Sequence, residues 1–199
     1  MKGNENSRVI VINSKNSNIS TIKKDQNYLN EIYKTLYIEY GIDIRNMNVY
    51  FVWDRDRNSN SIKMTRELLE NLDSSTNNLD GTNGILLLSY PSIESYIISS
   101  FDDKTTIIKN KELKQYVKDK DYKINKINRY SLIKTVNQMH KVLIELDIEE
   151  YNIDNLSPTF LKVFDKQEIS FKERGYYRLL SFISIILLDL NIITEREQQ

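Results

Sequence analysis

Cysteine is absent from this 199-residue chain, and histidine occurs once, as His140. Without thiols there can be no disulfide, no thiolate nucleophile and no cysteine-containing zinc site. A lone imidazole is a poor start for a histidine-rich metal centre or a serine–histidine pair. Its position between Val136 and Leu143, at helical spacing, is that of a packed or half-exposed helix residue. Net charge is lacking too, since 28 Lys+Arg balance 28 Asp+Glu. No whole-surface field draws nucleic acid, so any such binding has to come from a local patch. Long apolar runs are also missing. Leu179 to Ile193 is too short to span a bilayer and is broken by Ser181, Ser184, Asp189 and Asn191, so it reads as a buried or partner-facing helix. Met1 to Arg8 has no apolar core of the signal-peptide kind. The expectation is a cytoplasmic protein with no membrane segment, long enough for one sizeable domain or a domain with a helical extension.

The most informative stretch present is Val49-Tyr50-Phe51-Val52-Trp53-Asp54-Arg55-Asp56-Arg57, an apolar run that stops on two aspartates one residue apart. Unbroken Val, Tyr, Phe and Trp predict a central strand covered on both faces. Side chains two apart on a strand point the same way, so Asp54 and Asp56 are expected to project together at its carboxyl end, where open α/β sheets carry their sites. Adjacent carboxylates repel unless a proton or cation intervenes, and hard oxygen ligands suit Mg²⁺ or Mn²⁺.

The rest of the chain organises around that strand. Val9 to Ile12 predicts a first strand, followed by a polar loop from Asn13 to Asn18. Leu29, Ile32, Tyr33, Leu36, Tyr37 and Tyr40 mark one face of a helix that stops at Gly41. After the aspartates, Asn58 to Ser61 can cap a helix with Ile62, Thr65, Leu68, Leu69 and Leu72 on its buried face. Gly84 to Leu88 is a third strand, leading into a helix with Pro91 in its first turn and Ile93, Tyr96, Ile97, Ser100 and Phe101 at helical spacing. Glu94 in that first turn, near the positive end of a helix dipole, is expected to be ionised. Beyond Asp102 the alternation ends. Lys104 to Asn128 is polar, Leu132, Val136, Met139 and Leu143 mark a helix, Asp147 to Glu168 reads as irregular, and Phe171 to Ile193 as a long terminal helix. The expected fold class is α/β, a small, mostly parallel sheet flanked by helices over residues 1–103, with a helical carboxyl-terminal extension over 104–199 packed on that core.

A strand ending in Asp54-Arg55-Asp56, followed by an apolar strand running into Ser89-Tyr90-Pro91-Ser92-Ile93-Glu94-Ser95-Tyr96, resembles the Toprim domain of RloB-like and related abortive-infection proteins. That family's segment Ser-Asn-Pro-Cys-Phe-Glu-Leu-Trp is matched at the serine, proline, glutamate and aromatic places. The resemblance covers roughly residues 8 to 101. It implies a Toprim-like core and metal-dependent phosphodiester chemistry on DNA or RNA in a bacterial anti-phage system, with an ATPase partner. It makes Asp54, Asp56 and Glu94 the catalytic and metal-binding set, with Mg²⁺ or Mn²⁺ as cofactor. Arg55, Arg57, Lys63 and Arg66 would then contact phosphates as a local basic patch. The chain departs from the family in one respect: no Glu-Gly-x-x-Asp/Glu is present, and Asn13 or Ser14 stands where the first-strand glutamate belongs if Val9 to Ile12 is that strand. Aligned instead as the family's second strand and helix, the segment before Asp54 leaves the glutamate-bearing strand out altogether.

The same residues have plainer uses. Paired aspartates after a strand can cap the next helix with their arginines as ion-pair partners, and a first-turn glutamate commonly serves a helix dipole. The 13 tyrosines fit core and rim better than stacking platforms. Three functions follow: a Toprim-type nuclease; a catalytically impaired Toprim-like regulatory or binding subunit working with an ATPase; and a receiver-like phosphoacceptor domain, against which Asn13 and the short α/β core argue. The apolar terminal segment adds an expectation of burial with some homodimerisation.

Overall fold

The computed structural model describes residues 34, 37, 38, 40, 41, 43, 47–58, 60–74, 84–106, 112–152 and 155–194. The strand expected at Val9 to Ile12 and most of the helix after it lie outside these residues. Of that helix, Tyr37, Ile38 and Tyr40 are helical, and the Gly41 N–H donates to the Tyr37 carbonyl at 3.1 Å with φ at +64°. Glycine adopts that left-handed conformation without steric cost, which makes it a helix stop. Tyr37 and Tyr40, placed on the apolar face by their spacing, are exposed.

The run before the aspartates forms β1 (Tyr50–Asp54), and helix α1 (Ile62–Asn71) carries the chain over to β2 (Ile85–Tyr90), which pairs parallel with β1. Ser61 caps α1, its hydroxyl accepting the Met64 N–H at 3.2 Å, while Met64, Thr65, Leu68 and Leu69 are buried and Ile62 is exposed. Every residue of β2 is buried. It is the central strand of the three-stranded order β1-β2-β3, whereas β1 is covered only in part, with Val52 39% exposed. The sequence pattern predicted a β1 buried on both faces; among the described residues it has one neighbouring strand. A Cβ on Gly84 would overlap the Phe51 ring and lie 3.2 Å from Val49 Cγ1, so a larger residue where β2 enters beside β1 would have to displace that ring.

The second half differs more from the sequence reading. Helix α2 runs Glu94–Phe101, and Pro91 sits in the turn before it, behind a cis Tyr90–Pro91 bond, instead of in its first turn. Helix α3 (Leu113–Asp119) and a 3₁₀ turn (Ile124–Lys126) lie in the stretch read as aperiodic, and α4 (Arg129–Glu145) buries Val136, Met139, Val142 and Leu143. The stretch read as irregular holds most of α5 (Ser157–Arg174), with Pro158 in its first turn and Phe160, Val163, Phe164 and Gln167 buried. The predicted terminal helix from Phe171 to Ile193 is broken. Gly175, at φ +79°, closes α5; Leu180–Ser181 forms β3, antiparallel to β2; and α6 spans Ile183–Asp189. The sheet among the described residues is therefore mixed, with one parallel and one antiparallel pair.

One hydrophobic cluster joins both halves, from Met64, Leu68 and Leu86 to Val136, Met139, Phe160, Phe164 and Phe182. Helix α1 packs on α5, and α4 packs on α2 and α6. Packing is thus continuous across position 103, and the carboxyl-terminal part supplies a strand as well as helices. None of the described helices is long and apolar enough to cross a membrane.

Candidate functional site

The carboxyl ends of β1 and β2 and the start of α2 meet at one corner. Asp54 is the last residue of β1, in register with Ser89 of β2. Its Oδ1 accepts the Ile93 N–H, immediately before α2, at 2.7 Å. Helix N-termini leave backbone N–H groups without intrahelical acceptors and favour negative charge, so Asp54 fastens the end of one strand to the start of a helix 39 residues on. Its carboxyl is held above the ordinary value of 3.8. Lost hydration is the largest cause, the Ile93 N–H and Lys114 act the other way, and the charges of Glu94 and Asp56 add to the rise.

Asp56 lies past the strand. Its N–H donates to the Asp54 carbonyl at 2.9 Å, and its Oδ1 accepts the Asn58 N–H at 2.9 Å. The chain is already turning here, so the two-residue alternation that would align the two carboxylates ends at Asp54. Glu94 accepts from the Ser92 hydroxyl at 2.6 Å and has Lys114 Nζ 4.0 Å away. Glu94 and Asp56 thus both act on Asp54 through their charge, yet each of the three acids accepts a hydrogen bond from its local framework. Carboxylates are the right donors for Mg²⁺ or Mn²⁺. Among the described residues, no group of three acidic, histidine or cysteine side chains is placed to hold a metal ion.

The four cations expected on phosphates differ in their surroundings. Arg55, expected at a phosphate, is 2% exposed. Its Nε donates to Glu168 Oε1 at 2.8 Å, its Nη1 to the Asn60 carbonyl at 2.9 Å, and its guanidinium lies 5.4 Å from the centre of the Phe164 ring. Just past the end of β1, Arg55 turns inward, where a buried carboxylate makes its charge tolerable. Arg57 covers the Phe171 ring at 4.5 Å and approaches Glu168 Oε2 at 3.4 Å. Arg66 pairs with Asp165 of α5, with Glu70 at 4.0 Å. Lys63 is the exposed one, with Glu67 3.9 Å away. These residues join β1 and α1 to α5 more than they form a basic patch.

Sequence reasoning missed the node around Arg55. Glu168, on the inner face of α5, also accepts the Tyr177 hydroxyl at 2.8 Å, and the Tyr90 and Tyr177 rings meet edge-to-face with centroids 5.7 Å apart. Burial pushes both phenols up; at Tyr90 the Glu168 charge adds to the rise while Arg55 opposes it, and at Tyr177 the hydrogen bond to Glu168 adds to it. Ser89, the serine of the motif, is buried against Ser181 of β3, hydroxyl to hydroxyl at 2.7 Å. The available signal was Glu168 four residues after Phe164: a charge on the apolar face of a helical pattern asks for a buried partner. His140, given no role, bonds the Tyr151 hydroxyl, and burial lowers its pKa below 6.5. No protein-family model, curated protein or solved structure matches the chain.

Proposed function

We propose that this chain is a catalytically impaired, Toprim-like regulatory or binding subunit of a bacterial anti-phage system, working with an ATPase partner. The observation that carries the impairment is the hydrogen bond from Ile93 to Asp54: the acid that a Toprim corner needs for a metal is engaged in joining β1 to α2. The defence setting and the ATPase rest on the resemblance of the two motif segments. The test is incubation of the purified chain, alone, with plasmid, single-stranded DNA and tRNA in Mg²⁺ or Mn²⁺, beside affinity capture with the ATPases encoded near it. The expected result is no cleavage that depends on Asp54, and a stable complex with an ATPase. Metal-stimulated cleavage abolished by Asp54→Asn would overturn the proposal.

A second reading, an active Mg²⁺- or Mn²⁺-dependent nuclease acting on DNA or RNA, draws on the clustering of Asp54, Asp56 and Glu94, whose mutual repulsion contributes to the raised Asp54 pKa. The same cleavage assay separates the two.

A further inference from the structure

Among the described residues, four buried side-chain atoms have no hydrogen-bond partner: Arg55 Nη2, Tyr90 Oη, Asn60 Oδ1 and Glu168 Oε2, the last having only the ion-pair approach of Arg57 Nε at 3.4 Å. Their residues are exposed by only 2%, 0%, 6% and 8%. They belong to one node. Arg55 bonds both Glu168 and the Asn60 carbonyl, Tyr177 bonds Glu168, and Tyr90 packs on Tyr177 within the field of Arg55 and Glu168. Buried polar groups left without partners are costly and rare, so four in one node call for an occupant.

The donor and acceptor inventory says what kind. Arg55 Nη2 can only donate, the Tyr90 hydroxyl can donate, and Asn60 Oδ1 and ionised Glu168 Oε2 can only accept. An anion would satisfy the first two and repel Glu168; a cation would satisfy the last two and repel Arg55 and Arg57. Water accepts two hydrogen bonds and donates two, which is the complement of this set, and internal waters characteristically make about three such bonds.

We infer that the Arg55–Tyr90–Asn60–Glu168 node is a built hydration site that holds bound water inside the protein, behind the Asp54–Asn60 turn. Bound there, water completes the coordination of the guanidinium and the carboxylate and ties three segments together: the turn after β1, the end of β2 and α5. Arg55 then serves as an internal strut, and its charge is not presented at the surface.

The direct test is a crystal structure of the full chain at a resolution that shows ordered solvent. The expected result is a water within hydrogen-bonding distance of Arg55 Nη2 and at least two of the other three atoms. Direct bonding among the four atoms with no density between them would overturn the inference, as would an ion bonded to one charge type only. In solution, water-oxygen magnetic relaxation dispersion counts long-lived internal waters. Tyr90→Phe/Asn60→Ala, which keeps the ring packing on Tyr177, should lose dispersion amplitude worth about one water or more relative to wild type. Equal amplitude in the two proteins would overturn it.

Discussion

Replacing Glu168 by leucine would leave Arg55 buried with its charge unopposed. The guanidinium, 2% exposed, would keep the bond to the Asn60 carbonyl and the Phe164 ring but lose its anionic partner at 2.8 Å, while Arg57 would lose the carboxylate 3.4 Å away and Tyr177 its acceptor. Breaking a buried pair by removing one partner costs about 3–5 kcal/mol. For a chain of this length each kcal/mol moves the thermal midpoint by about 2–4 °C, so Glu168→Leu should melt roughly 6–20 °C below wild type. Removing both charges is a different perturbation, because well-packed apolar residues of similar volume often replace a buried ion pair without loss. Arg55→Met/Glu168→Leu should therefore be more stable than Glu168→Leu alone, with a coupling energy of about 1–3 kcal/mol in a double-mutant cycle. Urea unfolding of the four proteins measures it. Glu168→Leu losing less than about 1 kcal/mol, the range of exposed ion pairs, would refute the reasoning.

Further predictions concern the corner, the sheet and the histidine. A carboxyl whose pKa is higher folded than unfolded costs stability as pH rises through that interval, so Asp54→Asn, whose amide oxygen can still accept from Ile93, should equal or exceed wild type in thermal midpoint at pH 7; the gap should close below pH 3.8, and a gap that widens there would contradict the assigned cause. Gly84→Ala drives a methyl into the Phe51 ring and should cost about 1–3 kcal/mol by chemical denaturation, a cost that Phe51→Leu should relieve in the double variant. Half-buried His140 should titrate below 6.5 by NMR; since the folded state disfavours its proton, stability should fall as pH drops below 6.5, more steeply in wild type than in His140→Gln.

Local pattern was a good guide where each segment buries one face by itself. Ser61 and the Thr65, Leu68, Leu69 spacing identified α1, Val136, Met139 and Leu143 identified α4, and two apolar runs joined by a helix gave the parallel β1–β2 pair. The carboxyl-terminal part misled because tertiary contacts decide it. Leu179 to Ile193 is apolar enough for a helix, but β2 has a free edge, and Leu180 and Ser181 pair there while Gly175 ends α5. At the corner, the two-residue alternation predicted that Asp54 and Asp56 project together, and it extended a strand rule into a turn for Asp56. What could not be read was Arg55's partner, because Glu168 lies 113 residues away and only the packing of α5 on α1 brings it in.

The measurement that tests the account most directly is thermal unfolding during titration with Mn²⁺ and Mg²⁺, for wild type and for Asp54→Asn/Asp56→Asn. A cation held only by the folded state at a hundredfold excess over its Kd would add about 2.7 kcal/mol, a rise of roughly 5–11 °C in a chain of this length. With Asp54 engaged by Ile93 and Asp56 by Asn58, neither protein should shift beyond what matched ionic strength produces. A rise of several degrees in wild type that disappears in the double variant would establish a metal site at these aspartates and contradict the structural role assigned to them here.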